Sequence, residues 1–214
     1  MRLVVASNNV GKLEEIRAVL EHLSIVPVPV SDVVPEFDVE ETGVTFLENA
    51  RLKAEAAFAA AGEPCLADDS GLCVAGLGLE PGVRSSRYAG EGRTDAQRNL
   101  FLLQKMELLR GEQRAAYFAC AVYAIVPVVL VSPAALCAVM GHYEGGVVGV
   151  AVEGRLHGRI GDSPAGGGGF GYDPLFYPRP DPSRSLAQFS LAEKNAISHR
   201  GQALSRFSSL LVSG

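Results

Sequence analysis

Ala67-Asp68-Asp69-Ser70-Gly71-Leu72 sets two adjacent carboxylates directly after Pro64-Cys65-Leu66-Ala67, an apolar run that reads as a short buried strand. Leu72, Val74 and Leu77 continue the apolar pattern beyond them. Carboxylates at the end of a buried strand are costly unless something cationic compensates them. A second acidic pair, Glu40-Glu41, also precedes a glycine, so the chain offers two carboxylate clusters that could hold a hard cation such as Mg²⁺ between them. The plainer alternative is a polar turn at Asp68-Asp69, a common setting for aspartate. Taken alone that alternative is the better one; the rest of the chain shifts the balance.

Ser7-Asn8-Asn9-Val10-Gly11-Lys12 lies where a first strand hands over to a first helix. At such a junction α/β folds bind phosphates through backbone N–H groups, and Lys12 adds a full charge. It is not a P-loop, because the leading glycine is missing and Leu13 stands where that motif needs Ser or Thr. Asn9 alone could be no more than a helix cap. Asn49 and Lys53, four residues apart, share one face of an alanine-rich helix, where a lysine is ordinarily a solvated charge. Lys194, His199 and Arg200 suit either a helix C-terminus or an anionic or purine ligand. Phe170 and Tyr172 are flanked by glycines such as Gly171, which could leave a ring free to stack on a base, worth roughly 1–3 kcal/mol in nucleic-acid systems. Packing on the core is the alternative for both rings. Together these residues supply metal carboxylates, phosphate-binding cations and a stacking ring, the parts of a nucleotide-phosphate hydrolase.

The elements that must position them alternate. Arg2–Ser7 reads as a strand, followed by a helix with apolar face Leu13, Ile16, Leu20 and Leu23, then a strand over Ile25–Val30. Thr45-Phe46-Leu47-Glu48 fits a capping box opening a helix to about Ala61. Thr94 to Gln97 caps another, with Leu100, Leu103 and Met106 predicted inward. Arg155–Ile160 reads as a strand, Gly166–Gly169 as a loop, and Ser190 to Glu193 as a third capping box before a last amphipathic helix with Leu204, Phe207 and Leu211. Strands alternating with helices predict an α/β domain around a largely buried sheet.

At 214 residues the chain is long enough for one domain, 1–214, with a substantial core. Its net charge of −5 gives no footprint for nucleic-acid polymers. Cys65, Cys73, Cys120 and Cys137 form no CxxC pair and read as buried core residues. The N-terminal strand pattern has no secretory leader character, so cytoplasm is the expectation. Ala115–Gly141 carries no charged residue, but Pro127 and Pro133 interrupt it and Val, Tyr and Phe abound, which predicts buried strands and no membrane association.

Six segments occur in order: Ser-Asn-Asn-Val-Gly-Lys (7–12); Glu-Glu-Thr-Gly (40–43) with Thr-Phe-Leu-Glu-Asn-Ala-Arg-Leu-Lys-Ala (45–54); Ala-Asp-Asp-Ser-Gly-Leu (67–72); Pro-Gly-Val-Arg-Ser-Ser-Arg-Tyr-Ala-Gly (81–90); Gly-Gly-Phe-Gly-Tyr-Asp-Pro-Leu-Phe (168–176); and Ala-Glu-Lys-Asn-Ala-Ile-Ser-His-Arg-Gly-Gln-Ala-Leu (192–204). With them the chain closely resembles the inosine/xanthosine triphosphate pyrophosphatase family, which removes deaminated purine nucleotides. The resemblance implies an α/β fold with a long central mixed sheet, helices on both sides, and two lobes with the active site in the cleft between them. It also implies a homodimer, Mg²⁺ dependence, and cleavage of a nucleoside triphosphate to monophosphate plus pyrophosphate. By motif position Asp69 is the general base, with Glu41, Glu40, Asp69 and Asp68 as metal candidates. Ser7, Asn8, Asn9, Val10, Gly11, Lys12 and Lys53 grip the triphosphate, and Ser70 touches the substrate. Phe170 stacks on the purine beside Gly171 and Tyr172, with Asp173, Lys194, His199 and Arg200 reading its 6-keto edge. Ser7 departs from the Thr of many relatives, and the 126–140 region is unusually apolar.

ITP, dITP and XTP are the expected substrates. A broader house-cleaning pyrophosphatase for other damaged or pyrimidine nucleotides is the runner-up, and a non-catalytic nucleotide sensor is the third reading. A sensor has no need of a water-activating base.

Overall fold

The computed structural model describes residues 1–21, 23 and 25–212, and of 136–138 the backbone alone. The expectation for Cys137 therefore falls outside the described side chains, while Cys65, Cys73 and Cys120 are buried free thiols as expected. The strands are β1 (Arg2–Val5), β2 (Val26–Pro29), β3 (Cys65–Val74), β4 (Ala115–Pro127), β5 (Val139–Tyr143), β6 (Val147–Ile160) and β7 (Phe176–Pro178). The α-helices are α1 (Val10–Leu20), α2 (Phe46–Ala61), α3 (Asp95–Lys105), α4 (Leu191–Ile197) and α5 (His199–Leu210).

The strands form one sheet in the order β2-β1-β3-β4-β6-β5, with β7 paired to β6. β1 runs parallel to β2, Arg2 opposite Val26, and parallel to β3, Val4 opposite Cys65. β6 pairs antiparallel with β5 and β7. The α/β fold with a mixed sheet is thus as the sequence led one to expect.

By contacts the chain divides into two compact units, with boundaries inside β3, β4 and β6. The first comprises Met1–Asp69, Cys120–Gly154 and Arg200–Gly214. Its apolar residues separate with the period of two that a strand imposes. Leu3, Val5, Leu66, Cys120 and Val122 pack with Ile16 and Leu20 of α1 and Leu204 and Phe207 of α5. Val4, Ala6, Cys65, Ala67, Ala121 and Tyr123 pack with Ala50, Ala54 and Ala57 of α2. Helices therefore cover both faces, which is why these strands read as continuous apolar runs. The second unit comprises Ser70–Ala119 and Arg155–His199, around Leu72, Val74, Leu102, Met106, Phe118, Leu156 and Phe176.

All three capping boxes form, at Thr45/Glu48, Thr94/Gln97 and Ser190/Glu193. Two expectations need correction. The short strand read over Pro64–Ala67 does not end at the aspartates, and the polar-turn alternative at Asp68-Asp69 falls: β3 runs from Cys65 to Val74 without interruption. Leu100 is 58% exposed, whereas Leu102 and Met106 are fully buried. The helical period turns α3 so that Asn99, Leu102, Leu103 and Met106 share the inner face, and Leu100 lies about 100° round from Asn99.

Candidate active site

β1 ends at Val5, and Ala6 N–H still reaches the Leu66 carbonyl of β3 at 2.8 Å, so the β1–α1 loop emerges beside Asp68 and Asp69. This is the carboxyl end of neighbouring parallel strands, where open α/β sheets place their ligands. Asn9 caps α1, its side chain accepting from Lys12 N–H at 3.0 Å, and Asn9 N–H donates to Ser7 Oγ at 3.2 Å. That turn places Lys12 Nζ 3.1 Å from Asp68 Oδ2. Asn8 and Val10 are exposed, and Ser7, Gly11 and Lys12 are half-buried.

Because β3 is extended, its two aspartates face opposite ways. Asp68 turns to cations: Arg200 donates to its Oδ2 from Nε at 3.1 Å and from Nη2 at 3.0 Å, beside the Lys12 ammonium. The Cys120 thiol donates to the same oxygen at 3.8 Å. Arg200, 1% exposed, is also ion-paired to buried Glu15 of α1. Burial opposes ionisation of Asp68, but Lys12, Arg200 and Lys53 outweigh it and hold the carboxyl far below the usual carboxylate range.

Asp69 turns to α2. Asn49 Nδ2 donates to Asp69 Oδ2 at 3.1 Å, and the Lys53 ammonium lies 3.5 Å from Oδ1. Asn49 Oδ1 accepts from Gly43 N–H at 2.8 Å, tying the acidic segment to the same helix. A Cβ at Gly43 would stand 2.6 Å from that oxygen, so glycine is what permits the approach. Glu41 meets Lys53 Nζ at 2.6 Å. Burial pushes the Asp69 carboxyl upward; Lys53 and Lys12 pull against it, Glu41 adds to the rise, and the net shift is up. Lys53 itself is disfavoured by burial but lifted by Asp69, Asp68 and Glu41, and is held more firmly protonated than usual.

The donor set suits one cation held lightly. Glu41 and Asp69 converge on a single ammonium, and the buried Asp68 Oδ1 has no hydrogen-bond partner among the described residues. No group of three His, Cys, Asp or Glu gathers as a cage among the described residues. Magnesium commonly binds through one or two carboxylates, waters and substrate phosphates, so the residues fit it without such a cage. Glu40 is exposed and outside this cluster.

A second constellation lies in the other unit. Lys194 Nζ meets Asp173 Oδ2 at 2.5 Å and stands 4.4 Å from the Phe170 ring centroid. Phe170 N–H donates to the same Asp173 oxygen at 2.9 Å. Gly169 adopts φ +68°, and a Cβ there would lie 2.2 Å from Asp173 Oδ2. Gly171 is held at both backbone groups by α3: its N–H donates to Asp95 Oδ2 at 2.7 Å and its carbonyl accepts from Asn99 Nδ2 at 3.1 Å. Tyr172 is buried and donates to the Ser85 carbonyl at 2.9 Å, which makes it a core side chain within the loop. His199 is buried and stacks on Phe118, centroids 4.8 Å apart.

Of the predicted residues, Lys12, Glu41, Lys53, Asp69 and Arg200 thus gather with Asp68, while Phe170, Gly171, Tyr172, Asp173 and Lys194 gather separately. Ser70 follows Asp69 on β3, half-buried. Glu15, Asp95 and Asn99 were not singled out from sequence. Glu15 lies among the inward residues of α1, a charge in an apolar face, which is the signal that marks it.

Three comparisons bear on this arrangement. The sequence matches the Ham1 family over residues 3–210. A protein of Geobacter sulfurreducens named dITP/XTP pyrophosphatase is 45% identical over 204 residues, covering 95% of this chain and 92% of that protein. One of Coxiella burnetii with the same name is 42% identical, covering 99% and 97%. Among solved structures, a HAM1 protein from Coxiella burnetii superposes with TM-score 0.80 at 40% identity, covering 98% of this chain and 97% of that one. The Staphylococcus aureus Ham1 protein does so with TM-score 0.77 at 37% identity, covering 98% and 97%. With the match running through both units and every segment described above, this chain belongs to the Ham1 family.

Proposed function

We propose that this chain hydrolyses non-standard purine nucleoside triphosphates, ITP, dITP and XTP, to the monophosphate and pyrophosphate. The observation that carries the reading is the opposite environment of two adjacent carboxylates. Asp68 is neutralised by Lys12 and Arg200, whereas burial, with Glu41 adding to it, raises the proton affinity of Asp69 against the pull of Lys53, Lys12 and Asn49. A carboxylate with raised proton affinity is the better general base. The names of the curated relatives agree with this activity.

In the proposed reaction Asp69 takes a proton from water as the oxygen attacks the α-phosphorus. The α–β anhydride bond breaks and pyrophosphate leaves. Mg²⁺, held by Glu41 and Asp69, would supply positive charge to the phosphates and acidify the attacking water. Lys12, Lys53 and the α1 N-terminus at Ser7 to Gly11 hold the triphosphate. Phe170 stacks on the base, and Lys194, above that ring, offers a donor to a 6-keto oxygen. Adenine presents a donor there, so the Lys194 ammonium leaves ATP mismatched. Arg200, being committed to Asp68 and Glu15, acts through Asp68 and not on the base. The enzyme is expected to work on free nucleotides in the cytoplasm as a homodimer; exposed Val129 and Met140 in the charge-free segment offer apolar surface for self-association.

The test is pyrophosphate release from ITP, XTP, dUTP, GTP and ATP. ITP and XTP should be turned over far faster than ATP. Preference for dUTP would favour the broader pyrophosphatase, and binding without release would leave a sensor.

A further inference from the structure

In the second unit β6 and β7 pair antiparallel with Arg159 opposite Tyr177. The Arg179 N–H donates to the His157 carbonyl at 2.8 Å, continuing that register. Residues two apart on a strand share a face, so His157, Arg159, Tyr177 and Arg179 form one two-by-two patch. Gly158, on the opposite face, has no room for a Cβ, which would stand 2.7 Å from the Phe176 ring. The patch lines a concavity of about 550 Å³ together with Tyr117 of β4 and Glu112. That volume is within the roughly 300–1,000 Å³ of small-ligand sites.

Its charge is unbalanced. Arg159 and Arg179 are exposed, and neither guanidinium has a carboxylate within ion-pair distance among the described residues, Glu112 included. Diagonal like charges on one sheet face repel. Aromatic surface lies alongside: the Arg159 guanidinium is 5.3 Å from the Tyr177 ring centroid, and the Tyr117 and His157 rings are 5.6 Å apart. None of these residues belongs to the proposed catalytic set.

We propose that this concavity is a second, non-catalytic nucleotide site, in which Arg159 and Arg179 take the phosphate and the tyrosine rings take the base. Arginine forks match phosphate oxygens, and stacking tolerates any base. The probe is AMP, whose 6-amino group the proposed catalytic site disfavours, titrated calorimetrically into the full chain without divalent cations. AMP should bind the wild type and Phe170→Ala alike. Arg159→Ser combined with Arg179→Ser should weaken it about tenfold or more, as expected for losing charge-assisted bonds. Those exposed substitutions should leave pyrophosphate release from ITP unchanged. Absence of AMP binding, binding insensitive to the two arginines, or binding lost in Phe170→Ala would overturn the proposal. Inorganic phosphate binding as tightly as AMP would overturn the nucleotide assignment. Failure of ITP turnover would leave the AMP measurement standing, so the two readings fail separately.

Discussion

Asp69→Asn and Asp68→Asn each remove one charge from neighbouring positions of β3, and the structure predicts opposite consequences. Asparagine at 69 can still accept from Asn49 Nδ2, and Lys53 keeps Glu41 at 2.6 Å. Burial already disfavours the Asp69 charge and Glu41 still answers Lys53, so its removal should cost less folding stability than the change at 68. The rate should collapse, because a general base contributes about 10²–10⁴-fold, or about 2.7–5.4 kcal/mol of barrier. At 68 the argument reverses. Asp68 is 1% exposed and answers both Lys12 and Arg200, so without it both cations lose the carboxylate they share. Breaking a buried pair costs about 3–5 kcal/mol. For a chain of 214 residues that is a fall in Tm of roughly 6–20 °C. Urea titration and calorimetry give the stabilities, and pyrophosphate release from ITP at a temperature where both variants are folded gives the rates. Near wild-type turnover by Asp69→Asn would refute the catalytic assignment. A Asp68→Asn variant as stable as the wild type would refute the electrostatic argument.

Other tests follow from the same geometry. Phe170→Ala should raise KM more than it lowers kcat, because stacking holds the base equally before and during reaction; steady-state kinetics on ITP decide it. Excess EDTA should abolish pyrophosphate release and added Mg²⁺ should restore it, while full activity in EDTA would end the metal proposal. Glu55 is half-buried; burial opposes its charge, but the Tyr143 hydroxyl and Arg51 outweigh that and hold its carboxyl below the ordinary value. A lowered folded-state pKa stabilises above the ordinary value of 4.5, and the contribution is lost as pH falls through the folded value. Glu55→Gln should therefore be less stable than the wild type at pH 7, by about 1 kcal/mol at most for so accessible a pair, with the gap closing in acid. Denaturant titrations at both pH values measure it.

What was legible in the sequence was local. The capping boxes at Thr45, Thr94 and Ser190 depend on side chains three residues apart, and helix geometry alone brings them together. The shared face of Asn49 and Lys53 follows from 3.6 residues per turn. Once six ordered segments were recognised, the family and the α/β fold followed as well. Sequence could not say that β3 continues through Asp68 and Asp69, because aspartate's turn preference misleads until cations from other elements neutralise the charge. Nor could it place Arg200, whose carboxylate partners on α1 and β3 are remote in the chain. Asp95 and Asn99 of α3, separated from Gly171 by more than a third of the chain, grip it from a helix whose own pattern gives no hint of that loop. Charges are written residue by residue, but their partners, and so their protonation and their use, are set by which strands lie side by side.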